Sequence, residues 1–232
     1  MARTGWSTSN YLSYTAGVAT GYPLTMACWA YRTTITTSLY SLIALNNSGS
    51  AANRNCFRLS VGTGDGVGTA VRFTAANAST QNNLDTTTGS PANTWFHACA
   101  VGTSATSRAV FLDGANKGTN TTDITPSGIN RTGVGIAFSS GVANAPMDGS
   151  GFIAEAAIWS AALTDQEVAS LATGVSALQV RPQSLLAYYP IIGNNAPEQN
   201  LLDATSALVV SGTLGAVAHP RILMPPRNSV MT

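Results

Sequence analysis

The chain has 232 residues, of which 11 are basic and 10 acidic, so only 9% of its residues are charged. An average soluble protein has roughly 25% charged residues. The net charge of +1, without a cluster of Lys and Arg, excludes free nucleic acid as a partner. A hydrophobic fraction of 44% excludes a disordered chain, because disordered chains have too little apolar surface to collapse.

Uncharged polar residues take the place of the missing charges. The chain contains 29 Thr, 23 Ser, 17 Asn and 22 Gly, but a single Lys, Lys117. Thr favours β-strands, whereas Gly, Asn and Ser favour turns. The composition therefore predicts an all-β protein and disfavours a helical bundle.

The sequence predicts neither a membrane helix nor a signal peptide. No stretch approaches the ~18 consecutive apolar residues of a membrane helix, so no membrane partner is expected. The first ten residues contain no apolar core, which predicts a protein without a signal peptide.

The three cysteines, Cys28, Cys56 and Cys99, each lie in an apolar run, and an odd number cannot pair completely within one chain. No CxxC motif and no histidine at ligand spacing indicates zinc. We therefore expect buried, reduced thiols.

Short β-type runs recur at the spacing of a β-sandwich. Segments rich in Gly, Ser, Asn and Thr separate them, and Asn46–Ser50, Gly62–Gly68 and Thr86–Pro91 are expected to be such loops. The runs predict strands near Leu24–Tyr31, Tyr40–Leu45, Cys56–Val61, Ala70–Thr74, Thr94–Val101, Arg108–Leu112, Gly133–Phe138, Phe152–Trp159 and Leu186–Ile191.

Two short motifs add local detail. Asp113-Gly114 follows an apolar run and predicts a tight hairpin turn, because these residues accept positive φ angles. Thr164-Asp-Gln-Glu167 is a capping box, and apolar residues follow it at helical spacing until Gly174. We therefore expect one short helix.

The end of the chain differs from the rest. No acidic residue follows Asp203, and the final segment contains three prolines among large apolar residues. Because proline cannot continue a helix or a central strand, we expect one sandwich over residues 1–218 and an extended arm over residues 219–232. The arm is expected to lie either on its own sandwich or on a neighbouring subunit, through His219, Pro220, Arg221, Ile222, Leu223, Met224, Pro225, Pro226 and Arg227.

Five short motifs, in this order, resemble a known family. They are Ala27-Cys-Trp-Ala30, Asn93-Thr-Trp-Phe-His-Ala98, Val110-Phe-Leu-Asp-Gly114, Gly151-Phe-Ile-Ala-Glu-Ala-Ala-Ile-Trp-Ser160 and Ala162-Leu-Thr-Asp-Gln-Glu-Val168. Over about Leu24–Gly174 the order resembles the laminin-G-like members of the concanavalin A-like lectin/glucanase superfamily. The resemblance implies a jelly-roll sandwich of two antiparallel sheets, with Trp95 and Trp159 in the core and the helix packed as a flap on one edge.

A second resemblance concerns the segment Val180–Pro220. It is similar to the tails of laminin-G-like proteins encoded by bacteriophages and prophages, through Arg181-Pro-Gln-Ser-Leu-Leu-Ala-Tyr-Tyr-Pro190, Ser211-Gly-Thr213 and His219-Pro220.

The glucanase branch of the superfamily raises the question of an enzyme. Glycoside hydrolysis needs two carboxylates that flank the scissile bond. The strand motif of alternating Glu and Asp that supplies them in that branch is missing from the sequence, and Glu155 stands alone in an apolar run. Asp165 and Glu167 are close in sequence, but the capping box accounts for them. We expect no catalytic residues, and a hydrolase acting through Glu155 is the enzymatic alternative.

No cofactor is expected, although a weak calcium site remains open among the loop residues Asp65, Asp113, Asp123 and Asp148. Turn chemistry is the alternative role of Asp65 and Asp113. Sugar binding would use aromatic and amide side chains in loops, and the candidates are Tyr22, Tyr40, Asn46, Asn47, Asn82 and Asn83.

The expected compartment decides between the functional hypotheses. Laminin-G-like modules usually work outside cells, whereas this chain shows no signal peptide and its thiols are expected to be reduced. A virion protein resolves the conflict, because it is made in the host cytoplasm and released by lysis. We expect a non-enzymatic bacteriophage structural protein of the virion, such as a capsid decoration, fibre or tail-associated protein. Its partners would be other virion proteins or copies of itself in a homo-oligomer. The alternative is a carbohydrate-binding adhesin that recognises host or environmental glycans.

Overall fold

The computed structural model describes residues 2–35, 38–50, 55–62 and 68–223. In these ranges the chain forms one α-helix, α1, over Asp165–Ala172 and seventeen strands. The strands are β1 Ala2–Thr4, β2 Tyr11–Tyr14, β3 Leu24–Tyr31, β4 Tyr40–Asn46, β5 Cys56–Val61, β6 Ala70–Ala76, β7 Gln81–Gly89, β8 Trp95–Ser104, β9 Ser107–Leu112, β10 Ala115–Asn120, β11 Arg131–Val134, β12 Ala137–Ser139, β13 Val142–Asn144, β14 Phe152–Trp159, β15 Leu185–Tyr189, β16 Val209–Ser211 and β17 Gly215–Val217.

Two antiparallel sheets pack face to face and form a sandwich. Within the described ranges, sheet A has the strand order β10-β9-β8-β3-β14-β1-β17, and β15 also pairs with β14. Sheet B has the order β16-β2-β11-β4-β5-β6-β7, and β12 pairs with β13 in a separate hairpin. This architecture confirms the predicted all-β jelly roll with one short helix.

Alternation along the strands separates the core from the outer faces. Phe57, Leu59 and Val61 of β5 point between the sheets, together with Phe96 and Ala98 of β8. The intervening residues therefore lie on the outer face of their own sheet. All three cysteines are free and buried, and burial raises the pKa of each thiol, which makes the thiols unreactive.

A second apolar cluster fills part of the outer face of sheet A. Val168 and Leu171 of α1 pack there with Cys99, Phe111 and Trp159, and the segment after α1 adds further apolar side chains. The helix therefore lies across the face of the sheet, whereas the family resemblance placed it on an edge. In the part of the chain that the structure describes, no helix is long and apolar enough to cross a membrane.

The local motifs behave as the sequence predicts. Thr164 Oγ1 accepts the Glu167 backbone N–H, and the Glu167 carboxylate accepts the Thr164 N–H, so the capping box is complete. Asp113 and Gly114 have φ angles of 53° and 70° and form the turn between β9 and β10.

Two predicted segments take a different form in the structure. The expected strand Gly133–Phe138 is split, because Gly135 takes a φ of 71° where the Trp6 ring approaches its backbone, so β11 ends and β12 begins. The expected loop Thr86–Pro91 instead contains the end of β7, because its Thr residues suit an edge strand. Thr86 Oγ1 accepts the Val71 N–H of β6 and ties the edge strand to its neighbour.

Gly114 allows a test of the contact between the β9–β10 turn and α1. A Cβ on Gly114 would lie 2.7 Å from the Ala169 Cα, whereas a Cβ on Gly141, which also has a positive φ, would meet nothing within 4 Å. Gly114→Ala should therefore lower the free energy of unfolding by about 1–3 kcal/mol more than Gly141→Ala. Urea denaturation measures both, and equal losses would contradict a tight contact between turn and helix.

Candidate functional site

Four aromatic side chains lie together at one end of the outer face of sheet A. The strand register places Phe152 of β14 opposite Tyr31 of β3, and Tyr31 opposite Trp95 of β8. Directly paired residues of antiparallel strands project to the same face. Trp29 lies two residues further along β3, on the same side. All four rings are half-buried. We call Trp29, Tyr31, Trp95 and Phe152 the aromatic platform.

The rings of the aromatic platform hold one another in place. Tyr31 and Phe152 are stacked with their centroids 4.6 Å apart. Trp95 lies 5.8 Å from Tyr31 and 6.0 Å from Phe152, at inclined angles. Three of the four rings therefore form one aromatic cluster across three adjacent strands, and Trp29 stands beside it.

The middle of this face is covered. The rows that contain Ala27, Cys99 and Ala157 lie under α1 and the segment that follows it. Trp29 stands at the border, beside the buried His97, with the two ring centroids 5.6 Å apart. The aromatic platform lies in a part of the face that α1 does not reach.

Polar loops surround the open end of the platform. The hydroxyls of Thr33 and Ser150 are hydrogen-bonded to each other. Thr34 Oγ1 donates to Asp148 Oδ2 at 3.3 Å. Asn93, whose backbone N–H donates to the Arg32 carbonyl at 2.7 Å, is exposed. Hydroxyl, amide and carboxylate groups thus stand next to the aromatic rings.

A buried arginine supports this rim. Arg32 is fully buried, and its Nε donates to the Thr34 carbonyl at 2.9 Å. Its Nη1 donates to Ser90 Oγ at 3.1 Å. One guanidinium therefore links the loop after β3 to the loop before β8, since its planar fork has donors in several directions.

A buried polar cluster is formed by Glu155, Tyr188 and His219. Glu155 interrupts β14 with a φ of 57° at a register shift, and its carboxylate is 6% exposed. The Tyr188 hydroxyl donates to Glu155 Oε2. His219 Nε2 lies 3.0 Å from Glu155 Oε1. In the sequence Glu155 stands alone in an apolar run, but the bulge turns its carboxylate towards the Tyr188 phenol and the His219 imidazole.

Both ring nitrogens of His219 face acceptors. Nε2 also lies 3.1 Å from the Pro190 carbonyl, and Nδ1 lies 2.9 Å from the Pro220 carbonyl. Burial alone would lower the pKa of His219, but the hydrogen bonds to Glu155 and to the two carbonyls raise it above the usual value. These contacts favour the doubly protonated ring.

The described part of the arm, residues 219–223, lies on its own sandwich. Leu223 forms a parallel bridge with Val175, and its N–H donates to the Gly174 carbonyl at 2.6 Å. Ile222 closes a small cavity that Trp29 and His97 also line. Met224, Pro225, Pro226 and Arg227 lie outside the described residues, so an arm on a neighbouring subunit stays a prediction, as does the boundary at residue 218.

The six residues predicted to bind glycans are dispersed. Tyr22 and Asn82 both contact the buried Arg108, at 3.4 Å and 3.3 Å. Asn46 is fully buried at the end of β4, where its Oδ1 accepts the Phe138 N–H. The other three are Tyr40 at the start of β4, Asn47 after its end and Asn83 on β7. None belongs to the aromatic platform, and their role in glycan binding stays a prediction.

The core prediction from the family resemblance is right for one tryptophan and wrong for the other. Trp159 is fully buried, whereas Trp95 is half-buried on the outer face, beyond the reach of α1. Asp65, a candidate calcium ligand, lies outside the described residues. Among the described ones, no group of three or more His, Cys, Asp or Glu side chains is placed to hold a metal ion.

Comparison with known families identifies the fold. Residues 6–169 match the model of a family described as the Concanavalin A-like lectin/glucanases superfamily. The chain belongs to this superfamily. No curated protein matches it.

Several solved structures share this superfamily fold with the chain. A putative carbohydrate binding protein from Bacteroides ovatus has a TM-score of 0.64 and 17% identity, over 95% of this chain and 61% of that chain. A heptameric SAP-like pentraxin from Limulus polyphemus has a TM-score of 0.57 and 16% identity, over 88% and 87%. Tailspike protein 2 of an Escherichia coli O157:H7 bacteriophage has a TM-score of 0.57 and 15% identity, over 80% of this chain but 26% of that chain.

Raising the pH should loosen the arm. The pKa of His219 is raised in the folded chain. The contact between the protonated His219 ring and Glu155 therefore stabilises the arm fully below the ordinary histidine pKa of about 6.5. The contribution is lost as the pH rises through the raised value. Hydrogen exchange at the Leu223 and Ser176 amides, corrected for the intrinsic rate, should show protection that falls with pH. His219→Gln should remove the pH dependence. Equal protection at every pH in the parent chain would show that the contact between His219 and Glu155 does not hold the arm.

Proposed function

We propose that this chain is a carbohydrate-binding module and that its aromatic platform receives the sugar. The observation that carries the proposal is the set of four mutually placed, half-buried rings on one outer face, bordered by polar loops. Membership of a lectin-like superfamily and the likeness to a putative carbohydrate binding protein support it.

The chemistry of a sugar fits such a surface. One face of a pyranose ring presents C–H groups, and its edge carries hydroxyls. The negative face of an aromatic ring attracts polarised C–H groups and also removes apolar surface from water. The hydroxyls would then meet the rim, where Asn93 and Ser150 are exposed.

The rigidity of the platform favours binding. Each ring stands on a strand and contacts another ring of the set, apart from Trp29, which contacts His97. Side chains that are already fixed lose little conformational freedom when a ligand binds. A preformed aromatic surface therefore suits the repeated units of a polysaccharide.

The surroundings of Glu155 support binding rather than hydrolysis. A glycosidase needs a second carboxylate across the scissile bond. The groups that contact the Glu155 carboxylate are the Tyr188 phenol and the His219 imidazole. The carboxylate is also buried, so it is not placed against an exposed sugar.

Trp95→Ala tests the platform. Loss of the apolar area that a sugar face buries on one indole should cost about 1–2 kcal/mol, so affinity for the bound glycan should fall about tenfold. A glycan array on the parent chain identifies the glycan, and isothermal titration then measures both proteins.

Tyr11→Ala is the matched control, because Tyr11 is a half-buried strand aromatic that packs on Phe138 of the β12–β13 hairpin. The control should bind as the parent chain does. Binding that survives Trp95→Ala, or a parent chain that binds no glycan above background, would contradict the proposal.

A second candidate function is a surface protein of a bacteriophage virion, in which the module could also bind glycans. Three buried free thiols support it, because they suit a protein that folds in a reducing cytoplasm. The likeness to a phage tailspike protein is consistent with it at the level of fold.

Mass spectrometry of purified phage particles from a host that carries the gene tests the virion role. The protein should be recovered at a constant ratio to the capsid protein across preparations. Its consistent absence from intact particles would contradict the role, and the glycan proposal would stand or fall separately.

A further inference from the structure

Arg58 lies among small residues on the outer face of sheet B. Arg58 of β5 is paired with Ala44 of β4 and Thr74 of β6. Gly133 continues the row beyond Ala44, and Ser60 lies two residues from Arg58 on the same strand. The paired residues on both neighbouring strands are therefore short and uncharged, so none of them supplies a carboxylate to the guanidinium.

Arg58 is buried, and two of its three guanidinium nitrogens find no acceptor among the described residues. The residue is 2% exposed, and in the described part of the chain its Nε and Nη1 are buried with no acceptor. Burying a cation without a partner costs several kcal/mol. Such a group calls for a physical explanation, and an ion or ligand is one of the few available.

The other buried arginines show how unusual this is. Arg3 reaches Glu198, Arg32 reaches Ser90 and Arg72 reaches Asp85. Arg108 donates to side-chain and main-chain oxygens, among them Asn120 Oδ1 at 2.8 Å. Among the described residues, no ion pair includes Arg58.

Asp85, on the edge strand β7, does not compensate Arg58. Asp85 is engaged by Arg72, whose Nε and Nη2 donate to its two oxygens at 2.6 Å and 2.7 Å. Burial is the largest effect and lowers the pKa of Arg58; Cys56 opposes this shift, and the positive charge of Arg72 adds to it. The environment therefore favours an added negative charge.

Further unpaired donors lie on the same face. The Asn46 Nδ2 and the Arg131 Nε are buried without an acceptor in the described residues, and these two residues are paired across β4 and β11. Ser41 of β4 has a buried hydroxyl that is also unpaired there. The unpaired groups can all donate a hydrogen bond, which matches a ligand made of acceptors.

We propose that Arg58 anchors an oxyanion site on the outer face of sheet B, which takes a carboxylate or sulfate group. A guanidinium binds two oxygens of such a group side by side through parallel N–H donors. This site is separate from the aromatic platform, which lies on the outer face of sheet A. The two proposals therefore do not depend on each other.

Thermal denaturation with sodium acetate or sodium sulfate as probe tests the site, against sodium chloride at equal ionic strength. Millimolar oxyanion should raise the Tm of the parent chain in a saturable manner, because a ligand that binds only the folded state stabilises it. Acetate and sulfate are compared to distinguish a carboxylate from a sulfate. A response to either supports the site.

Arg58→Met should lose the saturable response and should be at least as stable as the parent chain in oxyanion-free buffer, because it removes an unpaired buried charge. Arg221→Met is the matched control, since Arg221 is exposed on the arm, and it should keep the response. Trp95→Ala should also keep it, which separates this site from the platform.

Two results would overturn the proposal. One is a parent chain without a saturable response to either oxyanion, and the other is an equal response in Arg58→Met. If Arg58→Met does not fold, Arg58→Lys tests the proposal instead, because it keeps the positive charge and removes the parallel N–H donors of the guanidinium. Its affinity for the oxyanion should fall about tenfold or more, the value of one charge-assisted hydrogen bond. Unchanged affinity in that variant would equally overturn the site.

Discussion

The burial of Trp159 fixes which part of sheet A is covered. Its ring is fully buried, and its indole N–H donates to the Val180 carbonyl at 2.9 Å. This contact holds α1 and the segment after it over the end of β14 at which Trp159 lies. Phe152 is seven residues away on the same strand, about 23 Å in an extended chain, whereas an eight-residue helix is about 12 Å long. The aromatic platform is exposed because the cover ends before it.

The low charge of the chain acquires a structural meaning. Five of the arginines that the structure describes are buried. Arg3, Arg32, Arg72 and Arg108 link separate strands or loops through oxygen acceptors, and Arg58 is the exception. A guanidinium suits this work because it has five donors in a rigid plane. These buried charges serve inside the molecule, and the aromatic platform is bordered mainly by uncharged polar groups. Such a surface suits ligands that carry hydroxyl groups.

Local sequence signals predicted much of the fold. The bounds of β3, β5 and β14 agree with the alternation of apolar residues, and the capping box marks the start of α1, because each depends on neighbours in the sequence. Thr86–Pro91 was mispredicted because Thr and Ser suit both loops and edge strands. Pairing with β6 makes part of this segment a strand.

The candidate site was harder to predict, because exposure is a tertiary property. Alternation places Trp29 and Tyr31 on one face of β3, but only the position of α1 shows that this face is open there. Asn46 looked available for a sugar, yet its amide holds the β12–β13 hairpin. A signal was present in the aromatic residues at strand ends next to polar loops, and Arg58 within the otherwise uncharged strand β5 was a second.

The most direct test of the account uses the indole N–H signals of the four tryptophans in an NMR titration with the glycan identified on the array. Trp29 and Trp95 belong to the aromatic platform, whereas Trp6 and Trp159 are buried and serve as internal controls. The account predicts saturable shifts of the Trp29 and Trp95 signals, with the Trp6 and Trp159 signals unchanged. Glycan binding that leaves the Trp29 and Trp95 signals in place would contradict it.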